Sequence, residues 1–140
     1  QDTSKEEYKD DRLDKIKSQF TSFIGKLSPY QKQLINTMNN ELLPTFNEWI
    51  EFRRAWGNSI TAAYTNRNNK PIFEKMLSRS ILQADEWRSD AYLLKREHNQ
   101  KVWVNTLEKL LMSLNKKQLK KLSRKLNDTI EDLEDLIEDI

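Results

Sequence analysis

The stretch Leu114-Asn-Lys-Lys-Gln-Leu-Lys-Lys-Leu-Ser-Arg-Lys-Leu-Asn-Asp-Thr-Ile-Glu-Asp-Leu-Glu-Asp-Leu-Ile-Glu-Asp-Ile140 decides the fold class. Its apolar residues fall at Leu119, Leu122, Leu126, Ile130, Leu133, Ile137 and Ile140. That three-four alternation makes one seam on a helix, whereas a strand would need period two. Just upstream, Leu93, Trp103, Val104, Leu107, Leu110, Leu111 and Leu114 form a broader stripe, which predicts a central helix packed on more than one neighbour. Between the two, Asn115 can accept hydrogen bonds from the free amides of the next turn, and Gln118 can reach back to the cap's own N–H. The spacing predicts an antiparallel helical hairpin over residues 89–140, with the rest of the chain packed on it.

Charge along the last helix is segregated. Lys116, Lys117, Lys120, Lys121, Arg124 and Lys125 crowd its first half, while Asp128, Glu131, Asp132, Glu134, Asp135, Glu138 and Asp139 crowd its second. Both halves oppose the helix macrodipole, at roughly 0.3–1 kcal/mol for each charge in a terminal turn, so tertiary contacts must hold this helix. The pattern reads as a solvated face or as a bipolar docking strip for a partner or a second copy.

Working back toward the start, Leu13, Ile16, Phe20, Phe23, Ile24 and Leu27 repeat the three-four spacing, and Gly25 suits a helix end. Residues 1–11 are polar and read as a frayed lead-in or linker, and residues 12–140 as a single helical domain. In Ser28-Pro-Tyr-Gln31 a Ser cap, a Pro at the first helical position and a Gln closing the capping box mark the next helix, with Leu34, Ile35, Met38 and Leu42 inward. Pro44 restarts the chain into a third helix, in which Gly57 predicts a close helix crossing. Pro71 starts a shorter helix, and Ser89 caps the central one. Leu27-Ser-Pro-Tyr-Gln31 and Leu114-Asn-Lys-Lys-Gln118 echo each other, either as two ordinary capping boxes or as the trace of a duplication.

The expected fold class is therefore all-α, with five to six helices in an antiparallel bundle or in layered helical hairpins. Two Gly, three Pro and 33% charged residues fit that class. A net charge of +2 is too small to imply nucleic acid, which needs several phosphates neutralised on one face. The absence of cysteine excludes disulfides and thiol chemistry. No apolar run reaches membrane-span length, and the chain opens with Gln1 rather than Met, as a processed product or fragment would.

Catalysis has little to work with. His98 is the one imidazole and sits off the apolar face, no Glu stands three residues before it, and no glycine-rich phosphate loop occurs. No catalytic residue, metal site or cofactor is expected. The acidic run from Asp128 to Asp139 reads as a solvated face. One constellation stands out: Trp49, Arg53 and Trp56 fall on one helix face, with Trp87, Arg88 and Trp103 as further members. Cation–π contacts suit such a group, which reads as a core edge or as a partner-binding hot spot.

Phe23-Ile-Gly-Lys-Leu-Ser-Pro-Tyr-Gln31, Trp49-Ile-Glu-Phe-Arg-Arg-Ala-Trp56, Glu97-His-Asn99 and the run Leu126 to Asp139 together resemble the C-terminal half of an uncharacterised family of Gram-negative envelope lipoproteins. The two Leu-x-x-x-Gln segments also resemble the Leu-Thr-x-x-Gln motifs of Spy-type periplasmic chaperones, with both threonines replaced. These resemblances imply a periplasmic or outer-membrane-associated protein without enzymatic activity. The implied partner is another protein or an upstream part of the same chain. A homodimer is a further option, membrane attachment would run only through a lipid anchor outside this chain, and nucleic acid is disfavoured. They also imply a runner-up role, as a chaperone-like binder of unfolded or envelope proteins.

Overall fold

A computed structural model describes residues 3–138; Gln1, Asp2, Asp139 and Ile140 lie outside the described residues, and with them the last seam position and the last acidic residue. The described chain is all-α, without a strand: α1 (Thr3–Ile24), α2 (Pro29–Glu41), α3 (Phe46–Thr65), α4 (Lys70–Leu82), a 3-10 turn at Ala84–Trp87, α5 (Asp90–Met112) and α6 (Lys116–Glu138). From Thr3 on, the polar lead-in is part of α1. It contains no Gly or Pro, Glu6 stands in the first turn where the dipole favours an acid, and Arg12 lies over the Tyr8 ring at 5.6 Å.

The residues expected to form one domain fall into two compact units, one made of the chain up to Leu42 with the chain from Lys101 onward, the other of Leu43–Gln100. The reason lies in the distribution of apolar burial. Ile16, Ile24, Leu27, Ile35, Met38, Leu42, Val102 and Leu110 form the buried cluster, and Phe20, Trp103, Leu114 and Leu122 pack against it, all within the first unit. In the second unit α3 lies along α4, and complete burial among the described residues is confined to Ala63 and Ser80.

In the first unit the helix junctions follow local chemistry. Gly25 ends α1 with φ +84°, a left-handed conformation that costs an L-residue about 1 kcal/mol or more, and its amide closes onto the Thr21 carbonyl at 2.8 Å. Arg12 donates to the Asn39 side chain and to its carbonyl, both at 2.7 Å, and the buried Asn39 amide donates to the Lys9 carbonyl, so one polar clasp ties α1 to α2.

Several expectations give way here. Phe23, expected inward, is exposed, and the face α5 buries is Val102, Thr106 and Leu110, while Val104, Leu107 and Leu111 face solvent. The tight α5–α6 hairpin is replaced by a different neighbour, since α6 approaches α1 and no close backbone approach joins it to α5 among the described residues. Gly57 sits at no close crossing: a Cβ there would meet nothing within 4 Å. Gly57→Ala should therefore stabilise α3 by about 0.5–1 kcal/mol, read as a higher midpoint in thermal unfolding of the second unit.

Candidate functional site

The two capping motifs meet. Ser28 and Asn115 each accept from the amide three residues on, at 3.1 and 2.8 Å, and Gln31 and Gln118 each return a bond to the cap's own N–H, at 2.9 and 3.1 Å. Both glutamines are almost fully buried, at 1% and 4% exposure, so every polar atom on them needs a partner. They find it in each other. Gln31 Nε2 donates to Gln118 Oε1 at 3.0 Å, and Gln118 Nε2 donates to Gln31 Oε1 at 2.8 Å. The remaining protons go to Ser113 Oγ at 3.1 Å and to the Lys26 carbonyl at 3.0 Å. Each amide thus fills both its acceptor and both its donor positions. This closed network joins both helix turns of the first unit.

The Trp/Arg constellation is assembled in part. Arg53 stands between Trp49 and Trp56, 5.6 and 5.7 Å from their rings, as helical spacing predicts. The two indoles differ in kind. Trp56 is half-buried and its Nε1 donates to the Ser80 carbonyl at 2.9 Å, with Ser59 and Ser80 hydroxyls bonded beside it, so it fastens α3 to α4. Trp49 is 44% exposed and stacks on the still more exposed Phe46 at 6.2 Å. Trp87 takes another partner, the Arg79 guanidinium at 5.8 Å, and Trp103 belongs to the first unit, against Phe20 at 6.2 Å.

Ion pairs frame this ridge. Glu48 bonds Lys95, which also donates to the Pro44 carbonyl at 3.1 Å, and the Asn99 amide brackets the Leu43 peptide, accepting at 2.8 Å and donating at 3.0 Å. Asn99 satisfies a peptide that has left α2, a role with no local signal because its partner lies 56 residues away. Asp85 receives Arg96 through two bonds at 3.2 and 3.3 Å and also pairs with Arg88, whose guanidinium covers Phe52 at 4.2 Å. The Arg96 hydrogen bonds hold the Asp85 carboxyl below its ordinary range, and the Lys95 hydrogen bond does the same for Glu48.

A depressed carboxylate pKa contributes stability that is present above the unfolded value, near 4.3 for glutamate, and is lost as pH falls through the folded value. Melting of the second unit should therefore turn down below about pH 4.3, and Glu48→Gln should flatten that acid limb in thermal melts across an acid pH series.

His98 is exposed on α5 and adjoins no ridge residue of α3 in sequence. A long exposed stretch lies on α6: only its first turns touch the core, through buried Gln118 and half-buried Leu122, and every residue from Ser123 to Glu138 is exposed. No helix among the described residues is long and apolar enough to cross a membrane. No family model matches the chain, and neither a curated protein nor a solved structure matches it.

Proposed function

We propose that the protein is a non-enzymatic binding or structural module of a bacterial cell-envelope lipoprotein, and that a protein partner, or an upstream part of the same chain, docks on the Phe46–Trp49–Arg53 ridge of α3. The exposed Trp49 carries this reading. Its ring lies on Phe46, its flank is covered by a guanidinium, and Lys95 neutralises the nearest carboxylate on that helix. Tryptophan and arginine together, held by a scaffold and still open to solvent, make the composition of an interface hot spot. The envelope location rests on the resemblance of the quoted motifs.

Affinity capture from envelope extract tests the reading, with wild type compared against Trp49→Ala. A partner recovered by wild type and lost by the variant supports it, and equal recovery overturns the assignment of the ridge. Ser59→Ala serves as the control that leaves the ridge intact.

A second reading is a chaperone-like binder of unfolded or envelope proteins, favoured by the apolar seam that α6 leaves in solvent. It requires ATP-independent suppression of the aggregation of an unfolding client. A nucleic-acid binder ranks third, since the basic half of α6 adjoins an acidic half; it requires oligonucleotide affinity that falls steeply with salt.

A further inference from the structure

Four cations crowd one face of α6 near its start. Lys117, Lys120, Lys121 and Arg124 stand three and four residues apart, the spacing that brings helical side chains together. Like charges at that spacing repel, and cations in a first turn oppose the helix dipole. Lys26, from the turn between α1 and α2, adds a fifth charge from a distant part of the sequence. Together the five line a hollow of about 550 Å³ beside Gly25. Among the described residues no carboxylate pairs with any of them, and Asp128, one turn past Arg124, makes no ion pair with it. Lys121 Nζ donates to the Thr21 carbonyl at 3.4 Å, a neutral partner that leaves its charge uncompensated.

The walls of the hollow are fixed. Ile24 and Gln118 are buried, and Gln118 is held in the closed amide network, so the cations are the groups left to meet a ligand. Gly25 keeps its left-handed turn, and Lys121 Cδ lies 3.5 Å from where a Cβ on that glycine would stand. Cations carried on a preorganised backbone lose less freedom when an anion arrives.

We propose that this hollow binds a compact soluble anion that carries several phosphate groups close together. The volume falls within the range of small-molecule sites, and lysine with arginine is the donor set that phosphate oxygens take. No aromatic ring lines the hollow, so a nucleobase finds no stacking platform there. The length of the ligand is limited by sequence: Asp128, Glu131 and Asp135 continue the face of Arg124 at helical spacing, and a long polyanion following α6 would run into them. Leu119 and Leu126 leave the helix about 140–160° away from Lys121 and Arg124, so the apolar seam offers no adjoining surface for a lipid tail. This inference concerns the first unit and does not rest on the role assigned to the α3 ridge.

Isothermal titration calorimetry of the whole chain with tripolyphosphate is the test. Wild type should bind one equivalent, more tightly than it binds inorganic phosphate and more weakly as salt is raised. Lys120→Gln with Arg124→Gln, both exposed, should weaken binding roughly tenfold or more. Lys70→Gln with Lys75→Gln removes the same charge from α4 and should leave the affinity within about twofold. Tripolyphosphate should also raise the unfolding midpoint reported by Trp103 emission in wild type, and much less in the Lys120/Arg124 variant.

Equal weakening in the two pairs of variants, more than one equivalent bound, or no saturable binding overturns the proposal, because a charged surface would then be gathering anions diffusely. A single-stranded oligonucleotide that binds more tightly than tripolyphosphate at equal phosphate concentration overturns it in favour of nucleic acid. Retention on phosphatidylcholine vesicles containing a phosphoinositide, undisplaced by tripolyphosphate, overturns it in favour of a membrane.

Discussion

Gln118→Ala should cost the first unit about 3 kcal/mol, the sum of a lost capping interaction and of buried polar groups left without partners. The truncation strips the Asn115 amide of its acceptor, the Lys26 carbonyl of its donor, and Gln31 of half of its own bonds. Gln31 is itself buried, so the bonds that it loses are not replaced by bulk water. Urea denaturation followed by circular dichroism and by Trp103 emission checks the magnitude, Trp103 being the tryptophan that reports this unit.

A double-mutant cycle with Gln31→Ala should return a coupling of about 1–2 kcal/mol, since the second truncation removes a partner already lost. A coupling near zero would mean that the two caps act separately. Gln118→Glu sharpens the point. Its carboxylate would face the Gln31 and Lys26 oxygens, so burial would raise its pKa. The variant should be closest to wild type below the ordinary glutamate value near 4.3 and lose stability as pH rises above it.

The second large effect separates two tryptophans that sequence alone treats alike. Trp56→Ala should destabilise the second unit by about 2–3 kcal/mol, because a half-buried indole leaves the α3–α4 contact and the Ser80 carbonyl loses its donor. Trp49→Ala should cost less than about 1 kcal/mol, its ring being largely solvated already, with the effect appearing instead in partner recovery. Thermal melts of both variants, run beside the capture experiment, distinguish the fastener from the docking residue. A Trp49→Ala variant as unstable as Trp56→Ala would return Trp49 to the packing of α3.

Some features were legible because their causes are local. Ser28, Gln31, Asn115 and Gln118 satisfy free amides within one helical turn, so the motif alone predicts both caps, and the helices begin where it places them. The Arg53 sandwich was legible for the same reason, its members being neighbours on one helix face. What the capping motif does not contain is its partner: nothing within Leu114 to Gln118 says that the Gln118 amide will exchange hydrogen bonds with the amide of a residue 87 positions earlier.

Trp87 and Trp103 show the converse. Both looked available to the cluster by residue type, and each instead met a partner from another element, Arg79 of α4 for Trp87 and Phe20 of α1 for Trp103.

By itself, then, the order of residues determined the class and the punctuation of this protein: helices, where they start, and which stretches carry an apolar seam. Those properties follow from hydrogen bonds and side-chain spacing inside one or two turns. Only the tertiary structure decided which seams are used. It packed α6 against α1 rather than α5, left the second half of α6 in solvent, kept Gly57 clear of any crossing, and joined the two glutamines. Periodicity says that a face is apolar, but what covers that face depends on segments distant in the chain that compete for the same surface.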